Sequence, residues 1–264
     1  MKKFLALLLA LLTVLSLVAC SNKEDDEEDS EIDLTVSSND MIYRPEGNTN
    51  DDAFYYDYVN GDEVAIIGFA ASHVPHDVKI PATIDNRPVT EIADEAFNSK
   101  TNITSVEIPE GVVSIGKMAF NGCTALTAVS LPSSLTEIGE AAFSGCIKLG
   151  SVAVPNAVTE IGFAAFYNCK SLTTATLPLS VTELPAQLFM SCERLTTVHW
   201  SAEGTKVGDY AFMGCTALVI VNLPATLESI GEYAFANCTA LEQPTLAETV
   251  EVGANAFFNA AANG

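Results

Sequence analysis

The sequence predicts a repeat solenoid of about eight stacked coils, and three observations predict it. A phenylalanine recurs at Phe97, Phe120, Phe143, Phe166, Phe189, Phe212, Phe235 and Phe257, in steps of 23 residues that shorten to 22 only at the last. Cys123, Cys146, Cys169, Cys192, Cys215 and Cys238 keep the 23-residue step without error. So do Ile108, Leu131, Val154, Leu177, Trp200, Leu223 and Leu246, five of them followed by proline. No single unit of this length can bury its apolar face alone. Stacking identical units makes one continuous core.

Each position in the unit has a physical role. In Leu126 to Leu131, Val129 and Leu131 alternate with polar residues, the pattern of a half-buried strand. Pro132 lacks an N–H for the ladder and ends that strand. Thr136-Glu137-Ile138 gives a second short strand before Gly139 turns the chain, and Phe143 fills the interior. Two residues after each phenylalanine stand Ser99, Gly122, Gly145, Asn168, Ser191, Gly214, Asn237 and Asn259. Glycine and asparagine tolerate a left-handed backbone, so this row is expected to be a corner with positive φ.

A solenoid end exposes an apolar cross-section and needs a cap. Residues 53–79 are expected to supply it as a hairpin, because Asn60-Gly61 separates two strand-like runs. The repeat domain then spans 80–264, its first unit lengthened to 28 residues between Ile80 and Ile108.

The Ile-Gly-x-x-Ala-Phe-x-x-Cys-x-x-Leu string, the Leu-Pro pair and the 23-residue period together resemble the BspA-like leucine-rich repeats, over residues 80–264. That resemblance implies a right-handed superhelical stack with a parallel sheet along one face and short helical turns elsewhere. It also implies binding rather than catalysis: surface adhesion, recognition of host proteins, or aggregation between cells.

The first residues read as an address. Lys2 and Lys3 precede an apolar run from Phe4 to Leu17, as in a secretory signal peptide covering 1–19. Fourteen residues give about 21 Å of helix, short of the ~30 Å hydrocarbon core. Leu17-Val18-Ala19-Cys20 resembles a bacterial lipobox, which implies that Cys20 carries the lipid anchor to the membrane. Seven of the eight residues from 24 to 31 are acidic, so 20–52 is expected to be a solvated, disordered tether. An acidic run just after the lipidated cysteine resembles the export signal of surface lipoproteins, implying an outer-membrane protein facing outward.

Charge excludes some functions. Lys plus Arg is 12 against 34 Asp plus Glu, a net charge of −22. Nucleic-acid binding needs cations for its phosphate contacts, so no nucleic acid is expected as a partner. The six in-register cysteines are expected to be free and buried. Equivalent residues on neighbouring coils sit about 4.8 Å apart with parallel side chains, and a disulfide needs Cβ atoms at about 3.5–4.5 Å facing each other. His73 and His76 lack a third ligand nearby and read as a polar loop. Glu137, Glu160 and Glu183 form an outward row with Lys206 and Ser229, read as a solvated face. No cofactor, metal site or catalytic set is expected.

Two surfaces could bind a partner. The strand face carries small residues, among them Thr127, Thr173, Thr196 and His199. The other is richer in large side chains. The residue after the repeated phenylalanine turns from Asn98, Asn121 and Ser144 to Tyr167, Met190 and Met213, with Phe163, Tyr210 and Tyr233 nearby. These six are the candidate partner-binding residues, since aromatic and methionine side chains are enriched in interface cores; the alternative is that they fold back over the solenoid edge. The same region departs from the repeat at Leu184-Pro185, Leu188 and Trp200-Ser201. The functional expectation is a recognition or adhesion lipoprotein for a protein or another cell surface. A glycan-binding accessory in nutrient capture and a periplasm-facing structural lipoprotein are the alternatives.

Overall fold

A computed structural model describes residues 41–43, 53–70, 76–219, 223–242 and 244–260, all within one unit, Ser37–Gly264. The signal peptide, Cys20, the acidic run and His73 lie outside the described residues.

The N-terminal end is closed by antiparallel pairing. Strands β2 (Ala53–Val59) and β3 (Glu63–Ala70) form the expected hairpin, and β1 (Met41–Tyr43) adds a third strand along β2. Asn60 and Gly61 turn it with φ of 52° and 84°, the both-positive geometry whose twist matches the flanking strands. Two boundaries move. The segment 20–52 is not tether throughout, because 41–43 pairs in the sheet. The hairpin ends at residue 70, since β4 (His76–Lys79) runs parallel to the repeat strands and already belongs to the stack.

The long first unit also has a cause. Strands β5 (Thr83–Ile84) and β6 (Arg87–Ile92) form an inserted hairpin turned at Asp85-Asn86, both at positive φ. One oxygen of Asp85 accepts from the hydroxyls of Tyr56 at 2.9 Å and Tyr58 at 2.8 Å. Arg87 lies 4.4 Å from the Tyr58 ring centre, and its Nε donates to Gly61 O. These contacts tie the cap to the first coil.

Beyond the cap, five coils each contribute a longer and a shorter strand: β7 (Ile103–Glu107) and β8 (Ser114–Ile115), β9 (Ala128–Ser130) and β10 (Glu137–Ile138), β11 (Ser151–Ala153) and β12 (Glu160–Ile161), β13 (Thr174–Thr176) and β14 (Glu183–Leu184), β15 (Thr197–His199) and β16 (Lys206–Val207); among the described residues the last two coils add one shorter strand each, β17 (Ser229–Ile230) and β18 (Glu251–Val252). Neighbouring coils pair in parallel with a 23-residue offset, as in Ser151↔Thr174↔Thr197 and Glu137↔Glu160. The longer strands make one face of the stack, interrupted between β9 and β11. The shorter strands make a second face, interrupted between β12 and β14. The core runs between them as a stack of phenylalanines: rings from Phe97 to Phe257 lie 4.8–5.7 Å apart.

The third side of each coil departs from expectation. Among the described residues no helix forms there. All eight residues of the predicted corner have positive φ, from Ser99 to Asn259, but a second left-handed row precedes each phenylalanine by two. It reads Glu95, Met118, Ala141, Ala164, Gln187, Tyr210, Tyr233 and Asn255. Two left-handed residues per coil break any right-handed helical run. N–H groups instead alternate between turn bonds within a coil and bonds to the next one. Met118 donates to Glu140 O, Ala119 to Gly116 O, Phe120 to Ala142 O and Asn121 to Met118 O.

Candidate functional site

The interior rows are structural. The six cysteines are buried with free thiols. Each Sγ donates to the carbonyl of the phenylalanine one coil back, as Cys123 does to Phe97 O at 3.2 Å and Cys146 to Phe120 O at 3.3 Å. A small apolar residue that can also donate fits this row better than alanine or serine, a reason the period alone did not disclose. Burial pushes the thiols of Cys123 and Cys238 up to about 12, and those of Cys146 and Cys215 well above the ordinary value. They are poor nucleophiles in the folded chain.

The strand face also has structural duties. Thr127 Oγ1 donates to Thr104 O, Thr173 Oγ1 to Gly150 O and Thr196 Oγ1 to Thr173 O, at 2.9–3.0 Å. Threonine repeats there because its hydroxyl reaches the preceding coil. His199 stands exposed in the next row but one to this ladder. Trp200 is half-buried, with Nε1 donating to Val181 O at 2.8 Å. It serves as Ser134 does for Val112 O three junctions earlier, and Gly204 leaves room for its ring.

The six candidate residues fall on three neighbouring rows rather than one. Tyr167, Met190 and Met213 occupy successive coils in the row after the phenylalanines, each half-buried. Tyr210 and Tyr233 belong to the left-handed row, with rings 5.5 Å apart and within 5° of parallel. A turn bond from Met213 N–H to Tyr210 O at 3.1 Å joins the two rows. Phe163 sits one row further, 43 % exposed, in line with Glu140, Ala186 and Asp209. The structure therefore brings Tyr210, Met213 and Tyr233 together and sets Phe163 apart. Left-handed backbone costs a residue with a Cβ roughly 1–2 kcal/mol, and tyrosine has no local hydrogen bond to offset it. Coil-to-coil bonds hold these two there, such as Tyr210 N–H to Glu232 O at 2.9 Å.

A concavity was not legible in the sequence. Between β12 and β14 lies a cleft of about 470 Å³, lined by Glu160, Ser180, Thr182, Glu183, Lys206 and Asp209 over Ile161, Leu184 and Pro185. The only available signal was Leu184-Pro185 in place of Ile-Gly.

Comparison with known proteins agrees with this architecture. A BspA type leucine rich repeat region matches in six copies, over residues 90–219 and 182–263. A leucine rich repeat protein of T. pallidum is 33 % identical, with a TM-score of 0.67 over 72 % of this chain and 88 % of that one. A leucine rich cell surface protein of Faecalibacterium prausnitzii is 31 % identical, with a TM-score of 0.67 over 80 % of this chain and 54 % of the other. A leucine-rich repeat protein of Bacteroides ovatus is 26 % identical, with a TM-score of 0.60 over 78 % and 67 %. Among functionally curated proteins none matches. Period, coil geometry and these matches together make the chain a member of the BspA-type leucine-rich repeat family.

Proposed function

We propose that this chain is a non-catalytic recognition protein of the bacterial surface, anchored by lipid on Cys20, that binds a protein or another cell through the turn side of its solenoid. The observation that carries the reading is the tyrosine pair Tyr210–Tyr233, stacked at 5.5 Å on left-handed backbone beside Met213. In the first three coils the row after phenylalanine is Asn98, Asn121 and Ser144, with Asn121 Nδ2 donating to Asn98 Oδ1. Packing over the coil edge therefore does not require large apolar groups. Aromatic and methionine side chains concentrated on later coils suit an interface centre. The likeness to a cell surface protein supports the outward address.

The test is a binding screen of the chain without residues 1–19 against extracellular-matrix proteins and a glycan array. Replacing Tyr167, Met190 and Met213 with serine is expected to weaken a saturable protein interaction at least tenfold while leaving thermal unfolding cooperative. Unchanged affinity returns these side chains to a packing role, and a glycan-only response favours the nutrient-capture reading. Protease treatment of intact cells tests the address, since only an outward-facing protein is shaved.

A further inference from the structure

We propose that the junction between the coils of Phe166 and Phe189 is a built-in hinge at which the solenoid opens on its short-strand face. The cause is one residue. At Gly116, Gly139, Gly162, Gly208, Gly231 and Gly253, an added Cβ would come within 2.4–2.7 Å of atoms in the preceding coil. These glycines let the coils close, and each donates its N–H backward, as Gly162 does to Ile138 O and Gly208 to Leu184 O. Pro185 occupies the same row with a ring and no N–H.

The ladder fails accordingly. Thr159 N–H donates to Thr136 O at 2.9 Å and Thr205 N–H to Thr182 O at 2.8 Å, but Thr182 makes no such bond to Thr159 O. Strands β12 and β14 end up in different sheets, and the cleft described above fills the space between them. Around the turn the same junction closes gradually. Ala164 N–H to Ala186 O and Phe166 N–H to Leu188 O are both 3.1 Å, and Asn168 N–H to Met190 O is 2.7 Å. The longer-strand face stays paired, with Ser151↔Thr174 in register and Val154 N–H to Thr176 O at 2.9 Å. The junction is thus a wedge, fastened along two sides and open on the third. Ser180 Oγ, donating to Val158 O, is the latch at its edge. The gap between β9 and β11 is different: Gly150 N–H still reaches Thr127 O there, and β10 and β12 remain paired.

Residue-resolved native-state hydrogen exchange on the full chain tests the hinge. The Thr182 and Glu183 amides are expected to exchange at least tenfold faster than those of Thr205 and Glu228. Pro185→Gly should restore a donor to Ile161 O and slow Thr182 at least tenfold. Ser180→Ala, which leaves the glycine row untouched, should speed exchange at Val181 and Thr182. Equal protection of Thr182 and Thr205 in the unmodified chain overturns the proposal, whatever the variants do.

Discussion

Two consecutive junctions share the coil of Phe189 and differ in how they close. Toward the coil of Phe212, Gly208 N–H reaches Leu184 O at 2.8 Å, and the turn bonds from Gln187, Phe189 and Ser191 run 2.7–2.9 Å. Toward the coil of Phe166, proline stands in the glycine row, the short-strand ladder is missing and the first two turn bonds lengthen to 3.1 Å. The phenylalanine rings are 5.7 Å apart on both sides. The aromatic core therefore sets the average spacing, while one backbone position decides whether the surface ladder zips shut.

The comparison can be broken outright by Gly208→Pro. Removing that N–H and placing a ring against Ala186 and Leu184 should cost about 3 kcal/mol in urea unfolding, and Thr205 should then exchange as fast as Thr182. A smaller effect sharpens it. Gly231→Ala forces a Cβ to 2.5 Å from Asp209 N and should destabilise by about 2 kcal/mol, whereas Pro185→Ala, facing an open cleft, should change stability by less than about 1 kcal/mol. No loss in Gly231→Ala would mean that the glycine row is not what permits close stacking.

The smallest effect lies at the capped end, where side chains rather than a glycine row make the tie. Hydrogen bonds from Tyr58 and Tyr56 hold the Asp85 carboxyl below its usual range. Its contribution is present above the ordinary aspartate value near 4 and is lost as pH falls through the lower folded value. The hydroxyl of Tyr58 is raised by its bond to Asp85, and that of Tyr56 by burial and then by Asp85. Their contribution is present below about 10 and fades as pH rises toward their folded values. Amide shifts of Gly61 and Asn86 should follow both limbs, and Asp85→Asn should remove the acid limb while leaving the repeat coils unchanged.

The architecture was readable because a strict period needs only residue identities: the phenylalanine, cysteine and corner rows all lie where the 23-residue step puts them. The second left-handed row was not readable, since Glu95, Met118, Ala164 and Tyr210 share no chemistry. Coil-to-coil hydrogen bonding imposes that conformation, and no local preference announces it. For the same reason short helical turns were expected where none form. The candidate surface was half legible. The aromatic and methionine residues stand out by composition alone, but the chain's path around the turn splits them among three rows. The departures near the fifth coil were visible as broken consensus, and only the structure separates them. Trp200, in the leucine row, makes the carbonyl contact that a serine makes at other junctions, whereas Pro185 opens a cleft.

The two outer ladders also run in opposite senses. On the short-strand face each coil donates to the one before it, as Gly139 does to Ile115 O, whereas on the turn side each coil donates to the one after it, as Phe120 does to Ala142 O. Their peptide dipoles therefore oppose one another along the stack instead of summing as they do in a helix. Gene duplication can thus lengthen or shorten such a protein coil by coil without building up partial charge at its ends. Where a coil keeps one ladder and loses the other, as beside Pro185, that cancellation is locally undone, leaving the carbonyls of Thr159 and Ile161, two residues that line the cleft, without the backbone donors their counterparts have.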